Sequence, residues 1–253
     1  MRGQTDWGGE LYASILWSTD YNDDNESRFP GLGPVEFDYN PIYLGFGTSG
    51  SIGTNFLYQG EFVFEGGQGQ SDPLRGPQAR ESIRAFAARA ELTYLLRDEG
   101  QTRLQAEALL ASGDRDRLSP TDTVGGNLAG TDDNAFNALG FANTGLAFGG
   151  TLNNLISLRL GASTFPFRAH RELSQFQVGA DLFVFSKFDE DAPIDEPTYA
   201  RSFLGVETDL YLNYRITSDL GLNVRYGAFI PGSAISGERD TRHFILFSVT
   251  LSF

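Results

Sequence analysis

Residues 243–253 read HFILFSVTLSF, and apolar and polar side chains trade places along them. His243, Ile245, Phe247, Val249, Leu251 and Phe253 share one face, and Phe244, Leu246, Ser248, Thr250 and Ser252 share the other. A period of two marks a strand whose faces meet different surroundings. Residues 220–230, LGLNVRYGAFI, repeat it: Leu220, Leu222, Val224, Tyr226, Ala228 and Ile230 oppose Gly221, Asn223, Arg225, Gly227 and Phe229. In residues 204–216, LGVETDLYLNYRI, the apolar set Leu204, Val206, Leu210, Leu212, Tyr214 and Ile216, with Thr208, opposes Glu207, Asp209, Tyr211, Asn213 and Arg215. Charge keeps to one face.

Toward the N-terminus the same alternation marks strands near residues 176–188, 154–164, 102–112, 82–96, 56–65, 41–49 and 9–21, which makes ten in all. Residues 82–98, SIRAFAARAELTYLLRD, contain good helix formers. Their alternation of Phe86, Ala88, Ala90, Leu92, Tyr94 and Leu96 against Arg89, Glu91 and Thr93 nevertheless reads as a strand. Connections alternate as well: short around 50–55, 98–101, 166–173 and 217–219, long around 22–40, 66–81, 113–151, 187–201 and 231–242. All long loops therefore fall at one end. The expectation is an all-β fold, an antiparallel transmembrane β-barrel of about ten strands with short periplasmic turns and long extracellular loops, forming one domain over residues 1–253.

A soluble up-and-down barrel also alternates, with its apolar face inside. Aromatics near strand ends, such as Trp17, Tyr94, Tyr214 and Phe253, favour a lipid-facing apolar exterior flanked by interfacial rings. The chain has 253 residues, 40% of them hydrophobic, with 30 Gly, no Cys and a formal charge of −14. That composition excludes disorder and a disulfide scaffold, and the negative charge argues against nucleic acid, which is held by Lys and Arg. The least charged stretch, residues 134–158, is too rich in Asn and Gly for a membrane-spanning helix. The start, MRGQTDWGG, lacks an apolar secretory core, which leaves open a signal removed upstream or a cytoplasmic protein.

The C-terminal part, NNLISLRLGASTFPF followed by LGVETDLYLNYRITSDLGLNVRYGAFIPGSA and a last strand closing on Phe253, resembles the final strands of the alginate export family of outer membrane porins. The resemblance rests on Leu204-Gly205-x-Glu207-x-Asp209-Leu210 and on Arg225-Tyr226-Gly227-x-Phe229-x-Pro231-Gly232, and covers about the last hundred residues. It implies a location in the outer membrane of a Gram-negative bacterium, among lipids and lipopolysaccharide, and passage of an anionic polysaccharide such as alginate. The terminal Phe253 is similar to the signal read by the outer membrane assembly machinery. Porin-size barrels of about 16 to 18 strands enclose an aqueous channel. Ten strands imply either the C-terminal portion of a longer barrel or a small relative with a filled lumen.

Strand parity places Arg89, Arg103, Arg159, Lys187, Arg215 and Arg225 on the polar, lumen-facing side, with Glu61, Glu65, Glu91, Glu107, Asp181, Glu207 and Asp209. The arginines either line a conduit and pair with uronate carboxylates, or neutralise neighbouring acids within the wall. Arg225, in the family-like segment, is expected to serve the wall more than Arg159. The acidic loop KFDEDAPIDEP, with Asp189, Glu190, Asp191, Asp195 and Glu196, reads either as a solvated loop or as a cation bridge to lipopolysaccharide. Residues 45–50, GFGTSG, match a dinucleotide fingerprint by letter but precede a strand and not a helix. Only His170 and His243 could act as a histidine base, and no spacing joins either to a Ser and an acid, so no catalytic, metal or cofactor site is expected.

Overall fold

The computed structural model describes residues 2–4, 9–20, 35–120 and 126–252. It contains eleven strands: β1 (Arg2–Gln4), β2 (Glu10–Trp17), β3 (Tyr39–Ile52), β4 (Phe56–Gln70), β5 (Arg80–Leu95), β6 (Arg103–Ala111), β7 (Leu155–Thr164), β8 (Phe176–Ser186), β9 (Phe203–Arg215), β10 (Leu220–Pro231) and β11 (Arg242–Leu251). They form one sheet in sequence order, every neighbour antiparallel. All ten expected strands are present, including 80–95, where cross-strand pairing overrides helix propensity. The short β1, which lacks apolar alternation, was not expected. Tyr21 and Phe253 lie outside the described residues.

Burial decides which face is inside. On the central strands the charged parity is covered, as at Glu65, Glu107, Asp181, Glu207 and Asp209, while Phe46, Phe62, Leu158, Leu160, Leu182 and Leu210 face outward and exposed. A water-soluble barrel would reverse this, because a continuous apolar exterior of this extent is unfavourable in water. Outward rings cluster at the short-turn end, with Phe56 4.7 Å from Tyr94 and Phe176 5.8 Å from Tyr214. This is the position of an interfacial aromatic belt.

β3, β4 and β5 run to 14, 15 and 16 residues, longer than the alternation suggested. At about 3.3 Å per residue they outreach an apolar band of about 25 Å and stand above the membrane on the long-loop side. Their upper ladder, such as Tyr39 with Gly69 and Gln70 with Arg80, needs no apolar face. Gly67 lies in it at φ +126°, where a Cβ would overlap the Asn40 carbonyl oxygen.

Among the described residues no ladder joins β11 to β1 or β2. The inward-parity Phe244 and Leu246 of β11 are 39% and 41% exposed.

Candidate functional site

Inside the barrel, side chains form three storeys. The short-turn storey is polar. Gln105 Nε2 lies 3.4 Å from Thr93 Oγ1, Gln177 Nε2 lies 3.4 Å from Ser163 Oγ, and Asn213 donates to Gln177 Oε1 at 3.1 Å. Asn223 continues the ladder to Asn213, and Arg225 Nε donates to Asn223 Oδ1 at 3.2 Å. Arg103 and Arg215 also stand at this end, Arg215 donating to the turn carbonyls of Thr217 and Ser218. Among the described residues, none of these three arginines has a carboxylate within 4.0 Å, the reach of an ion pair.

The middle storey is a charged belt. Arg89 on β5 donates to Glu107 from Nε at 2.9 Å and from Nη2 at 2.6 Å, and to Glu91 at 2.6 Å. Arg159 on β7 lies 3.6 Å from Glu107 and 3.8 Å from both Glu91 and Asp181. Glu61 on β4 faces Arg89 across the ladder, and Asp209 is the register partner of Asp181. Close packing within this belt requires glycine. Gly161 lies beneath Asp181 and Gly179 beneath the Tyr211 ring, where a Cβ would overlap the side chain. Arg89 and Arg159 are thus engaged with wall carboxylates, whereas Arg225 has only an amide contact, the reverse of the ranking drawn from the sequence.

The long-loop storey is closed by residues 126–154 of the β6–β7 connection, which fold inward as an arm. Its first anchor is Phe136, seated among Tyr43, Ala85, Ala87 and Ala111, with the Asn137 N–H donating to Glu65 Oε2 at 2.7 Å. The Tyr39 hydroxyl donates to Glu65 Oε1 at 2.5 Å, and the Tyr43 hydroxyl lies 2.9 Å from both that oxygen and the Asn137 carbonyl. Its second anchor is Phe148, whose ring lies 4.5 Å from Phe185 and 5.1 Å from Phe229. Beside it, Glu207 Oε1 accepts from the Leu146 and Ala147 N–H groups at 2.6 and 2.7 Å, and Oε2 accepts from Phe148 N–H at 2.7 Å. The anchors sit on β3–β6 and β8–β10, so the stretch between them crosses the lumen. Beneath it a cavity of about 330 Å³ is bounded by Glu61, Arg89, Glu107, Phe136 and Phe141.

Neighbouring loops brace the arm. Asn154 Nδ2 donates to the Asp189 and Ala192 carbonyls at 3.0 and 2.9 Å, and Asn154 Oδ1 accepts from the Asp189 N–H at 2.7 Å. Lys187 belongs to this brace: its amine donates to the Glu190 carbonyl and to Thr198 Oγ1, so it staples a loop and does not line the belt. Burial pushes that amine below the ordinary lysine range, against the pull of Asp189, Asp191 and Glu190. At the arm's root, burial raises the Asp133 carboxyl although Arg117 opposes the shift. The acidic loop is tied down in part, with Asp189 2.8 Å from Arg115 and Glu196 2.5 Å from Arg242. Tyr39, Tyr43, Phe136 and Phe148 were not among the sequence candidates, and Glu65 had appeared only as one more acid of the polar face. His243 meets the Tyr226 hydroxyl at 2.8 Å on the outer face, and His170 lies in the 165–175 turn.

An antiparallel transmembrane sheet with apolar exterior, charged interior and an inward-folded loop defines a β-barrel of the porin type. The sequence profile described as "Alginate export" matches residues 12–245. The chain belongs to the alginate export family, and the match reaches well beyond the last hundred residues that carried the resemblance. No curated protein sequence matches it. Among solved structures, a NanC porin in a rhombohedral crystal form is similar, with 8% identity and a TM-score of 0.46, over 100% of this chain and 90% of that one.

Proposed function

We propose that this protein is a gated conduit in the outer membrane of a Gram-negative bacterium, moving anionic polysaccharide outward, with the 126–154 arm as its gate. The observation that carries this reading is the gradient along the lumen: amides, hydroxyls and arginines outside ion-pair reach of a carboxylate at the periplasmic end, a doubly anchored arm at the extracellular end. Arg103, Arg215 and Arg225 are the side chains offered to uronate carboxylates. Membership of the alginate export family supports transport. The alternative is a structural barrel with a filled lumen, favoured by the buried cluster of Phe183, Phe185, Phe229 and Ile235 under the arm's second anchor.

Planar bilayer recording separates the two readings. The conduit reading expects rare openings that become frequent when residues 138–145 are deleted, with block by uronate oligomers that weakens in Arg225→Ala. A deletion variant that inserts and folds yet never conducts would establish the structural barrel.

A further inference from the structure

The second anchor of the arm is an anion site with an occupant already in it. The N–H groups of Leu146, Ala147 and Phe148 converge on one carboxylate, between Gly145 at φ +81° and Gly149 at φ +57°. Successive N–H groups turned inward in this way form a nest that binds anions. The fit is close: a Cβ on Gly145 would lie 2.6 Å from the Glu207 carboxyl carbon, and one on Gly227, below, would lie 2.7 Å from Asp209 Oδ1 and 2.9 Å from Leu146 Cβ. Chain geometry at the nest is thus built around a carboxylate.

That carboxylate is supplied by a crowded wall. Asp209 follows Glu207 on the same face of β9, is buried, and its Oδ1 has no hydrogen-bond partner. Asp181 stands across the ladder, Arg159 is shared among Asp181, Glu91 and Glu107, and Arg225 is turned to Asn223. Glu207 therefore reaches the nest tethered to a wall strand, beside another buried acid.

We propose that the 145–149 nest is a carboxylate-binding site held shut by the chain's own Glu207, and that a carboxylate of an acidic saccharide takes Glu207's place and keeps the arm raised. This rests on the conduit reading above. The tethered Glu207 competes at an effective concentration of order millimolar, so an oligomer presenting many carboxylates displaces it better than a single uronate. The passenger thereby opens its own gate, by capturing the raised arm when it lifts.

The chain has no cysteine, so Ala147→Cys, which keeps its N–H donor, gives a single reporter of arm lifting. In detergent-solubilised protein, oligogalacturonate is expected to speed maleimide labelling of the introduced thiol several-fold at matched ionic strength, with galacturonate weaker and a neutral oligosaccharide inert. Adding Glu207→Gln should give fast labelling with or without uronate. Amide exchange of residues 146–148 in chains retaining Ala147 reads the same lifting without a thiol. Labelling and exchange that respond to oligogalacturonate no more than to salt, or a Glu207→Gln chain as protected as its parent, would overturn the proposal. Conductance of the Glu207→Gln chain separates the two ideas. Conductance with no uronate response sinks only the nest exchange, whereas lifting without conductance leaves the exchange standing and removes the conduit.

Discussion

Replacing Arg159 by alanine should destabilise the barrel far more than replacing Arg225. The Arg159 side chain is 11% exposed, and its guanidinium faces Glu107 at 3.6 Å and Glu91 and Asp181 at 3.8 Å. At an effective dielectric of about 20, one such pair is worth about 4 kcal/mol before desolvation. Truncation leaves Asp181 without an ion-pair partner among the described residues, and Glu107 dependent on Arg89 alone. Breaking a buried pair from one side costs about 3–5 kcal/mol. Because Arg89 still holds two of the three acids, about 3 kcal/mol is expected. Arg225 is exposed and contacts one amide, which sets its loss at or below about 1 kcal/mol. Urea unfolding in lipid vesicles, read by the shift between folded and boiled migration on gels, measures both. Reversal potentials on the same variants should show the opposite order, with anion preference falling in Arg225→Ala. An Arg159→Ala chain as stable as its parent, beside a destabilised Arg225→Ala, would refute the assignment of these two side chains.

Leu160 is 62% exposed in mid-strand on the apolar parity, so Leu160→Arg should cost about 2–4 kcal/mol in bilayers, whereas Gln105→Arg on the lumen parity should cost little; equal costs in vesicle unfolding would contradict the facing of β6 and β7. Gly179→Val should push the Tyr211 ring off the wall and destabilise by about 1–3 kcal/mol, a loss that Tyr211→Ala in the same chain should partly relieve. Asp133 fastens the arm's root to β5, its N–H donating to the Ser82 carbonyl at 2.8 Å and its carbonyl accepting from Arg84 N–H at 2.8 Å. Its carboxyl is raised above the ordinary aspartate value, so the folded state holds its proton more tightly than the unfolded chain. The resulting stabilisation is full below that ordinary value and is lost as pH rises through the folded one. Amide exchange at residues 82–84 and 133 should therefore quicken over that rise, and Asp133→Asn should flatten the dependence.

How far the sequence disclosed this arrangement depends on whether a feature was local. Strand parity is a local property, so Leu158, Arg159 and Leu160 declare their faces without any knowledge of the rest of the chain. The alternation of loop lengths likewise fixes which end carries the long connections. Parity cannot tell which charges meet, because Arg159 reaches acids on β5, β6 and β8 through register, and register depends on turns whose geometry residues 98–101 and 165–175 do not spell out. The extended tops of β3–β5 were hidden for another reason: GGQGQ at 66–70 forms its ladder through backbone groups and leaves no apolar trace.

The arm was the least legible element, and its physics explains why. Residues 134–153 contain no charge and no period, and taken alone they have little to bury beyond Phe136, Leu139, Phe141, Leu146, Phe148 and Leu152. Their conformation is imposed by partners far along the chain: Glu65, 72 residues before Asn137, and Glu207, 61 residues after Leu146. A buried carboxylate is costly unless donors surround it, so the two wall acids need the arm as much as the arm needs them. This mutual requirement gives the acids of the polar face two distinct duties. Glu91, Glu107 and Asp181 hold arginines and stiffen the wall, whereas Glu65 and Glu207 have no arginine within salt-bridge reach among the described residues and hold backbone instead. A bond to backbone can be released without unpairing a buried cation. The acids that grip the arm are therefore the ones suited to a gate, and those that grip arginine are suited to a wall.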